Sequence, residues 1–284
     1  MIPAAFEYFT PTSVDEAVAL LREHSDAKVL AGGQSLMPVL RLRLAAPESI
    51  VDIGKIDELR GVRDDGDSLV IGAMTSHSTV QSDPLVGEHA RLISLATATI
   101  GDPQVRHRGT FGGSLAHADP AGDLPAVAVA LDASFVIAGA EGRRTVAAGD
   151  FFQGVFSTAL AEDELLVEVR VPKYTGWGAH YEKFNRVAQQ WSIVAVAAAV
   201  RLDGDSIAEA RVGLTNMGST PIRATAVEDL LIGRPATAEA VREAAARAAD
   251  GTSPVTDLNG DAEYRRHLAS VLTRRAVLAA AGTG

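Results

Sequence analysis

Residues 28–36 read KVLAGGQSL, and this stretch decides how the first half of the chain is interpreted. Residues 28–31 are typical of a buried strand and residues 36–44 have helical periodicity, so the sequence predicts a tight turn between a strand and a helix. Paired glycines tolerate positive φ and let the backbone approach a ligand closely. The turn therefore offers several backbone N–H groups to a phosphate, and a following helix would add a favourable dipole.

A second glycine-rich segment, GTFGGS at residues 109–114, lies within IGDPQVRHRGTFGGSLAHADP at residues 100–120. This stretch has no sustained period, so we expect one long ordered loop. A single Gly-Gly-Xaa-Ser is better explained as an ordinary turn, whereas two such segments favour binding of a diphosphate. Neither segment matches the Rossmann fingerprint or a Walker sequence.

The remaining pattern predicts an α+β chain in two parts, residues 1–175 and 176–284. Ser13 and Glu16 form a capping box before a short helix. The elements predicted further along the first part are strands at 49–52, 68–71, 135–138, 144–147 and 165–171, and helices within 80–99 and 123–131. In the second part we expect an antiparallel meander at 181–187, 193–202 and 207–214 with a turn at Asp203-Gly204, then helices at 222–231, 236–249 and 261–281.

Composition excludes several classes of protein. The chain has 284 residues, 47% of them hydrophobic, and a formal net charge of −10, which disfavours nucleic acid as a partner. No apolar run of about 18 residues and no signal-peptide pattern are present, so we expect a cytoplasmic protein. The absence of cysteine excludes thiolate zinc sites, a cysteine nucleophile and iron-sulfur clusters ligated in the usual way by this chain.

Four segments in order resemble one known family: residues 28–36, residues 100–125, ELLVEVRVP at 164–172 and YEKFNRVAQQWSIVAVAAAV at 181–200. They are similar to the medium subunits of molybdenum hydroxylases, which include aerobic carbon monoxide dehydrogenase and xanthine dehydrogenase. The resemblance implies an FAD-binding fold of the vanillyl-alcohol oxidase/MurB (PCMH) type, followed by a C-terminal antiparallel sheet with helices.

The resemblance also implies which residues bind FAD. The first turn would wrap the pyrophosphate, the second segment would contact phosphate and isoalloxazine, Asp123 would accept hydrogen bonds from ribityl or adenosine hydroxyls, and later residues would lie along the cofactor. The implied residues are Val29, Leu30, Ala31, Gly32, Gly33, Gln34, Ser35, Leu36, Ile100, Thr110, Gly112, Gly113, Ser114, Asp123, Leu166, Lys183 and Trp191. For Trp191, core packing at a strand start is an equal alternative.

The function implied by the resemblance is electron transfer within a complex. A large molybdenum-cofactor subunit would oxidise the substrate, and a small iron-sulfur subunit would pass single electrons to FAD in this chain. An external acceptor such as a quinone would follow. The expected assembly is a dimer of heterotrimers, with peripheral membrane association through the complex as one arrangement. A self-sufficient FAD-dependent oxidase or dehydrogenase of the same fold is the alternative, and a scaffold without flavin is a third.

Several other charged or titratable residues have an ordinary structural explanation beside a functional one. The sequence predicts neither a catalytic residue nor a metal site. Residues 106–108 either neutralise the diphosphate or form a solvated or partner-facing loop. His117 and Asp119 lack a third metal ligand, and a turn explains them better. His77 is interpreted as a cap or surface residue. We expect Gly112→Val to remove flavin with little loss of fold.

Two positions depart from the family pattern. Gln34 replaces a histidine common in carbon monoxide dehydrogenase-like members. Gln189 and Gln190 stand where an acidic residue often precedes the aromatic one. Backbone contacts to phosphate do not depend on these side chains, so FAD is still expected, but the substrate class does not follow from the sequence.

Overall fold

The computed structural model describes residues 2–283, and its N-terminal layer is a small parallel sheet. The strands are β1 (Glu7–Phe9), β2 (Lys28–Leu30) and β3 (Ser49–Asp52), in the order β1-β3-β2. Helix α1 (Val14–Glu23) connects β1 to β2, and Ser13 caps it by accepting a 3.1 Å hydrogen bond from the N–H of Glu16. Helix α2 (Leu36–Arg41) follows β2, so the predicted strand, turn and helix are confirmed.

A five-stranded antiparallel sheet forms the centre of the first half. The strands after β3 are β4 (Val62–Asp65), β5 (Ser68–Gly72), β6 (Ser134–Gly139), β7 (Gly142–Ala147), β8 (Phe152–Gly154), β9 (Ser157–Thr158) and β10 (Leu165–Pro172). Strand β10 lies in the middle of the order β4-β5-β10-β6-β7, and β8 and β9 form a separate two-stranded sheet. Two 3-10 turns, Ile53–Lys55 and Asp57–Leu59, connect β3 to β4. Most of β10 is buried, because β5 and β6 flank it and α1 and α7 pack against it.

Short helices fill the connection between β5 and β6. They are α3 (His77–Ser82), α4 (Pro84–His89), α5 (Arg91–Ala98), α6 (Pro103–Arg108), α7 (Phe111–His117) and α8 (Asp123–Ala130), and α9 (Ala148–Phe151) follows β7. The prediction of one long loop at residues 100–120 is therefore wrong. Asp102 caps α6 through its side chain and Thr110 caps α7, so the segment is two capped helices of six and seven residues.

The second half is an antiparallel sheet covered by helices. Its strands are β11 (Gly178–Phe184), β12 (Val194–Asp203), β13 (Ser206–Thr215) and β14 (Ile222–Arg223), in that order, and its helices are α10 (Thr225–Leu231), α11 (Ala238–Ala245) and α12 (Ala262–Ala280). The predicted meander and helices are confirmed in their order, with differences in bounds. The turn lies at Gly204 and Asp205, α11 is shorter than the predicted helix at 236–249, and residues 222–223 belong to β14 because they pair with β13. Within residues 2–283, no helix has both the length and the apolar character to cross a bilayer.

Helix α8 joins the two halves. All eight of its residues are buried, since it lies between α5 and α7 of the first half and β12 and β13 of the second. A Cβ atom on Gly213 of β13 would overlap the carbonyl oxygen of Ala126 in α8, so the backbone of the sheet touches that of the helix. The main core cluster accordingly contains residues of both halves, from Leu69 to Ala199.

Candidate cofactor-binding site

A cleft of about 640 Å³ lies where the first turn, the α6–α7 region and the second half meet. Its walls are drawn from residues 28–39, residues 100–123, Lys183 and residues 189–191, with His77 among them. This volume is typical of a small-molecule or cofactor site, which ranges over about 300–1,000 Å³. The fold thus brings both glycine-rich segments into one cavity although more than 70 residues separate them along the chain.

The first turn offers backbone N–H groups to the cleft. Gly33 has φ +74°, a conformation that side-chain-bearing residues rarely adopt. Within residues 2–283, no acceptor takes a hydrogen bond from the N–H groups of Gly32, Gly33, Gln34 or Ser35. Successive unpaired N–H groups in such a turn form a concave site for an anion. Helix α2 has only six residues, so the turn itself and not a long helix dipole provides the positive potential.

The second glycine-rich segment has a different role, because it is the first turn of α7. The Oγ1 atom of Thr110 accepts a 3.2 Å hydrogen bond from the N–H of Gly113. The N–H groups of Phe111, Gly112 and Ser114 donate to backbone carbonyls. This segment therefore shapes the wall of the cleft and does not present a row of free donors.

The two glycine-rich segments are in direct backbone contact. A Cβ atom on Gly32 would overlap the carbonyl oxygen of Arg108 and lie 2.7 Å from the Cα atom of Gly109. Only glycine allows this approach, since any side chain at residue 32 would force the segments apart. The shape of this wall of the cleft therefore depends on the pair of segments together.

A buried ionic cluster forms the end of the cleft nearest α8. One carboxylate oxygen of Asp123 accepts hydrogen bonds from the Tyr181 hydroxyl at 2.7 Å and the Ser192 hydroxyl at 2.8 Å. The other accepts from the Lys183 ammonium at 2.7 Å, and that ammonium also donates to the carbonyl of Thr99 at 3.2 Å. Burial, followed by the neighbouring Asp123 charge, raises the pKa of Tyr181 well above its usual value, so its hydroxyl stays protonated.

The connection between β11 and β12, residues 185–193, closes one side of the cleft and is called here the cleft loop. The Gln189 amide donates a 2.8 Å hydrogen bond to Asp102, the residue that caps α6. The Gln190 amide donates a 3.0 Å hydrogen bond to the side chain of Asn259. The first of these bonds ties the second half of the chain to the α6–α7 region.

Trp191 lies on the cleft loop and lines the cleft with 51% of its surface exposed. Core packing, the alternative interpretation from the sequence, is therefore wrong. A large aromatic face at the mouth of a cavity is available for stacking on a planar ligand.

All but three of the residues implied by the resemblance line the cleft. Leu30 lies in β2, opposite Asp52 of β3. Leu166 is 4% exposed in β10 and belongs to the main core. At Gly112 a Cβ atom would lie 2.5–2.6 Å from Ala73, so this glycine packs against the end of β5 and not along the cleft.

His77 and His117, which the sequence interpretation set aside, both line the cleft. Ser76 caps α3, and His77 is the first residue of that helix and only 4% exposed, so the interpretation of His77 as a cap or surface residue is wrong. Burial lowers the pKa of His117, with Asp119 opposing the effect. The sequence carried no signal for this, since a lone histidine looks the same whether the fold buries it or not.

The basic segment at residues 106–108 does not line the cleft. Arg106 donates a 2.9 Å hydrogen bond to the carbonyl of Ile100, while His107 and Arg108 are exposed. All three lie in the last turn of α6, where positive charge is favoured by the helix dipole.

Comparison with known proteins identifies the family of the chain. A family model described as the FAD binding domain in molybdopterin dehydrogenase matches residues 4–174. The chain belongs to this family. A second model, the CO dehydrogenase flavoprotein C-terminal domain, matches residues 179–280.

One curated relative and two solved structures match nearly the full length of the chain. The carbon monoxide dehydrogenase medium chain of Hydrogenophaga pseudoflava is 45% identical over 99% of this chain and 98% of its own. A solved carbon monoxide dehydrogenase from that organism, which lacks the Mo-pyranopterin moiety, superposes with a TM-score of 0.96 at 46% identity over 100% and 99% of the two chains. Quinoline 2-oxidoreductase from Pseudomonas putida 86 superposes with a TM-score of 0.95 at 33% identity over 100% and 99%.

The chain is thus an FAD-binding medium subunit of the carbon monoxide dehydrogenase type of molybdenum hydroxylase, and so an oxidoreductase component. The predicted fold class, an FAD-binding domain followed by an antiparallel sheet with helices, is confirmed. The residues in the cleft fit FAD, because the unpaired N–H groups of residues 32–35 suit a diphosphate and exposed Trp191 suits a flat ring.

Proposed function

We propose that this chain relays electrons through FAD between an iron-sulfur partner and an external acceptor. The observation that carries the proposal is the cleft itself, in which the turn with the unpaired N–H groups of residues 32–35 lies against residues 108–109, between α6 and α7. FAD supplies the capacity to exchange electrons one or two at a time. The task of the protein is to bind, orient and partly cover the cofactor.

The first turn would hold the diphosphate. Its N–H groups on Gly32, Gly33, Gln34 and Ser35 act as fixed donors to negatively charged oxygens, and no side chain is needed for them. The departure at Gln34 from the family histidine leaves these donors in place. The contact between Gly32 and residues 108–109 keeps the wall rigid.

The ionic cluster and the cleft loop would hold the rest of the cofactor. The Asp123 carboxylate already accepts three hydrogen bonds and has capacity for one more, such as one from a cofactor hydroxyl. Lys183 neutralises its charge, so the cluster does not repel the diphosphate. Trp191 would cover the flat ring and limit access of water.

The proposed partners are a small iron-sulfur subunit and a large molybdenum-cofactor subunit, in a dimer of heterotrimers. A chain without cysteine needs clusters supplied by another polypeptide. Relatives named for carbon monoxide and for quinoline share this fold, which suggests that the large subunit chooses the substrate. The acceptor is proposed to be a quinone or another external oxidant, and cytoplasmic location stays a prediction, as does peripheral membrane association through the complex.

Native purification through a tag on this chain tests the proposal. We expect a visible spectrum that combines flavin and iron-sulfur absorbance, FAD on release of the cofactor, and two co-purifying chains, one small and one large. The isolated chain should bind FAD but should not be reduced by substrates that reduce the complex. FAD on a lone chain that a small alcohol reduces would overturn the relay in favour of an independent flavoenzyme, and native material without flavin would overturn both.

A further inference from the structure

His77 lies at the point where the two glycine-rich segments meet. A Cβ atom on Gly109 would be 2.7 Å from its Cδ2 atom and 3.1 Å from its Nε2 atom, so this edge of the imidazole packs against Gly109. The same backbone, residues 108–109, is the part of the second segment that touches Gly32. His77 is therefore beside the wall assigned to the diphosphate, and it lines the cleft.

The buried edge of the ring has no partner. The Nδ1 atom of His77 is fully buried and makes no hydrogen bond within residues 2–283. Leaving an N–H group buried without an acceptor is rarer in proteins than leaving an acceptor unpaired. This favours the tautomer that carries its proton on Nε2, the nitrogen on the Gly109 side, so that the ring has a donor next to the cleft.

The environment also keeps the ring neutral. Burial lowers the pKa of His77 to about 4, and the nearby positive charge of Arg106 acts in the same direction. A neutral imidazole can occupy a nearly dry site without an ion partner and still donate one hydrogen bond. The fold thus retains an unsatisfied polar ring at a position that an apolar residue of similar size would fill better for stability alone.

We propose that His77 is a positioning residue for the cofactor. Its Nε2 atom donates a hydrogen bond to the diphosphate at the point where the two glycine-rich segments meet. The inference rests on the proposed function only in taking FAD as the occupant of the cleft. The N–H groups of residues 32–35 hold the diphosphate from one side, and His77 fixes its position from the side of α3.

Two substitutions in the full-length chain test this role. His77→Leu removes the donor and fills the space, whereas His77→Gln keeps a side-chain N–H donor of similar reach. We expect His77→Leu to weaken FAD binding about 10- to 100-fold, the range for a hydrogen bond to a charged group, and His77→Gln to stay within about threefold of the native affinity. The apoprotein of His77→Leu should unfold at a denaturant concentration no lower than native, because an unpaired buried polar group is lost.

The opposite signs of these effects separate positioning from structure. Unchanged FAD affinity in His77→Leu, equal weakening in both variants, or a less stable His77→Leu apoprotein would each overturn the role of His77. Failure of the native chain to bind FAD would overturn the proposed function instead. FAD dissociation constants from flavin fluorescence and unfolding curves of the apoproteins provide the readouts, neither of which needs turnover.

Discussion

Gly112 has a packing role in the structure that differs from the flavin-binding role predicted from the sequence. From the sequence, a valine at this position was expected to displace flavin and spare the fold. In the structure a Cβ atom would meet the backbone and side chain of Ala73 at 2.5–2.8 Å, and the N–H of Gly112 donates to the carbonyl of that residue at 2.9 Å. The glycine is therefore needed for packing of α7 on β5.

We accordingly expect Gly112→Val to lower the free energy of unfolding of the apoprotein by about 1–3 kcal/mol or more, the usual cost of overpacking. Urea denaturation provides the measurement. Gly87→Val is a suitable control, because a Cβ atom there meets nothing within 4 Å. A Gly112→Val apoprotein of native stability that fails to bind flavin would restore the original expectation.

His77 should give the apoprotein a characteristic pH dependence. Its pKa of about 4 is lower than the usual value of 6.5, so the unfolded chain binds more protons between these values. Stability is then fully present above about pH 6.5 and lost as the pH falls towards 4, by about 3 kcal/mol in total. Unfolding curves of native and His77→Leu apoproteins should diverge in this window, and parallel profiles would contradict the assignment.

Lys183 and Asp123 form a buried ion pair in which each side chain neutralises the charge of the other. Their side chains are 7% and 3% exposed, so removal of one leaves a buried charge. We expect Lys183→Met to lower the free energy of unfolding by about 3–5 kcal/mol. Combining it with Asp123→Asn should recover roughly half of that loss, since no buried charge remains. Simple additivity of the two single effects in denaturant curves would show that the groups are not coupled.

At the level of elements, prediction succeeded where periodicity had room to develop. Strands β12 and β13 have ten residues each and α12 has 19, so their patterns repeat several times. Helices α6 and α7 have six and seven residues, too few for a period to be distinguished from a loop. Asp102 and Thr110 are residue types that favour a helix start, and both cap these helices in the structure. A cap residue alone does not predict so short a helix, because such a helix forms only with tertiary contacts.

The cleft loop forms one side of the cleft, and Gln189 ties it to the N-cap residue of α6. Gln189→Glu would place a carboxylate against Asp102 and replace a hydrogen bond by repulsion. Because the pair is exposed, we expect a loss of about 0.5–1 kcal/mol, seen as FAD release about two- to fivefold faster. Stopped-flow flavin fluorescence measures this rate.

Gln190→Glu is the matched control, because it adds the same charge in the same loop. Its partner Asn259 is an amide that can turn over and donate to the new carboxylate. FAD release should therefore stay close to native. Equal acceleration in both variants would mean that charge on the loop, and not the tie to α6, controls release.

The sequence pattern predicts a molecule of two parts, and the structure shows that these two parts pack closely against each other. Residues of both halves share the main core, and Asp123 of the first half is held by Lys183, Tyr181 and Ser192 of the second. No sequence pattern reports contacts of this range, since periodicity describes only the faces of individual elements. The boundary near residue 175 therefore stays a prediction of where one part of the sequence ends and the next begins. It does not predict that either part folds by itself.

We expect residues 1–175 expressed alone to fail as a domain. The face of α8 that packs on β12 and β13 would be exposed, and Asp123 would lose its three donors. Size-exclusion chromatography should show aggregation, with no cooperative unfolding and no retained FAD. A monomeric fragment that unfolds cooperatively and binds FAD would show that the halves are energetically separate.

The contact between Gly213 and Ala126 has a consequence for electron tunnelling. Tunnelling rates fall exponentially with the gap between donor and acceptor, so a hinge between the halves would make the rate fluctuate. At Gly213 and Ala126 the backbones of the two halves are in direct contact, so no side chain at this point forms a layer that can slide or compress. If the proposed iron-sulfur partner docks on one half, this contact would help to keep the gap between its clusters and a flavin in the cleft constant.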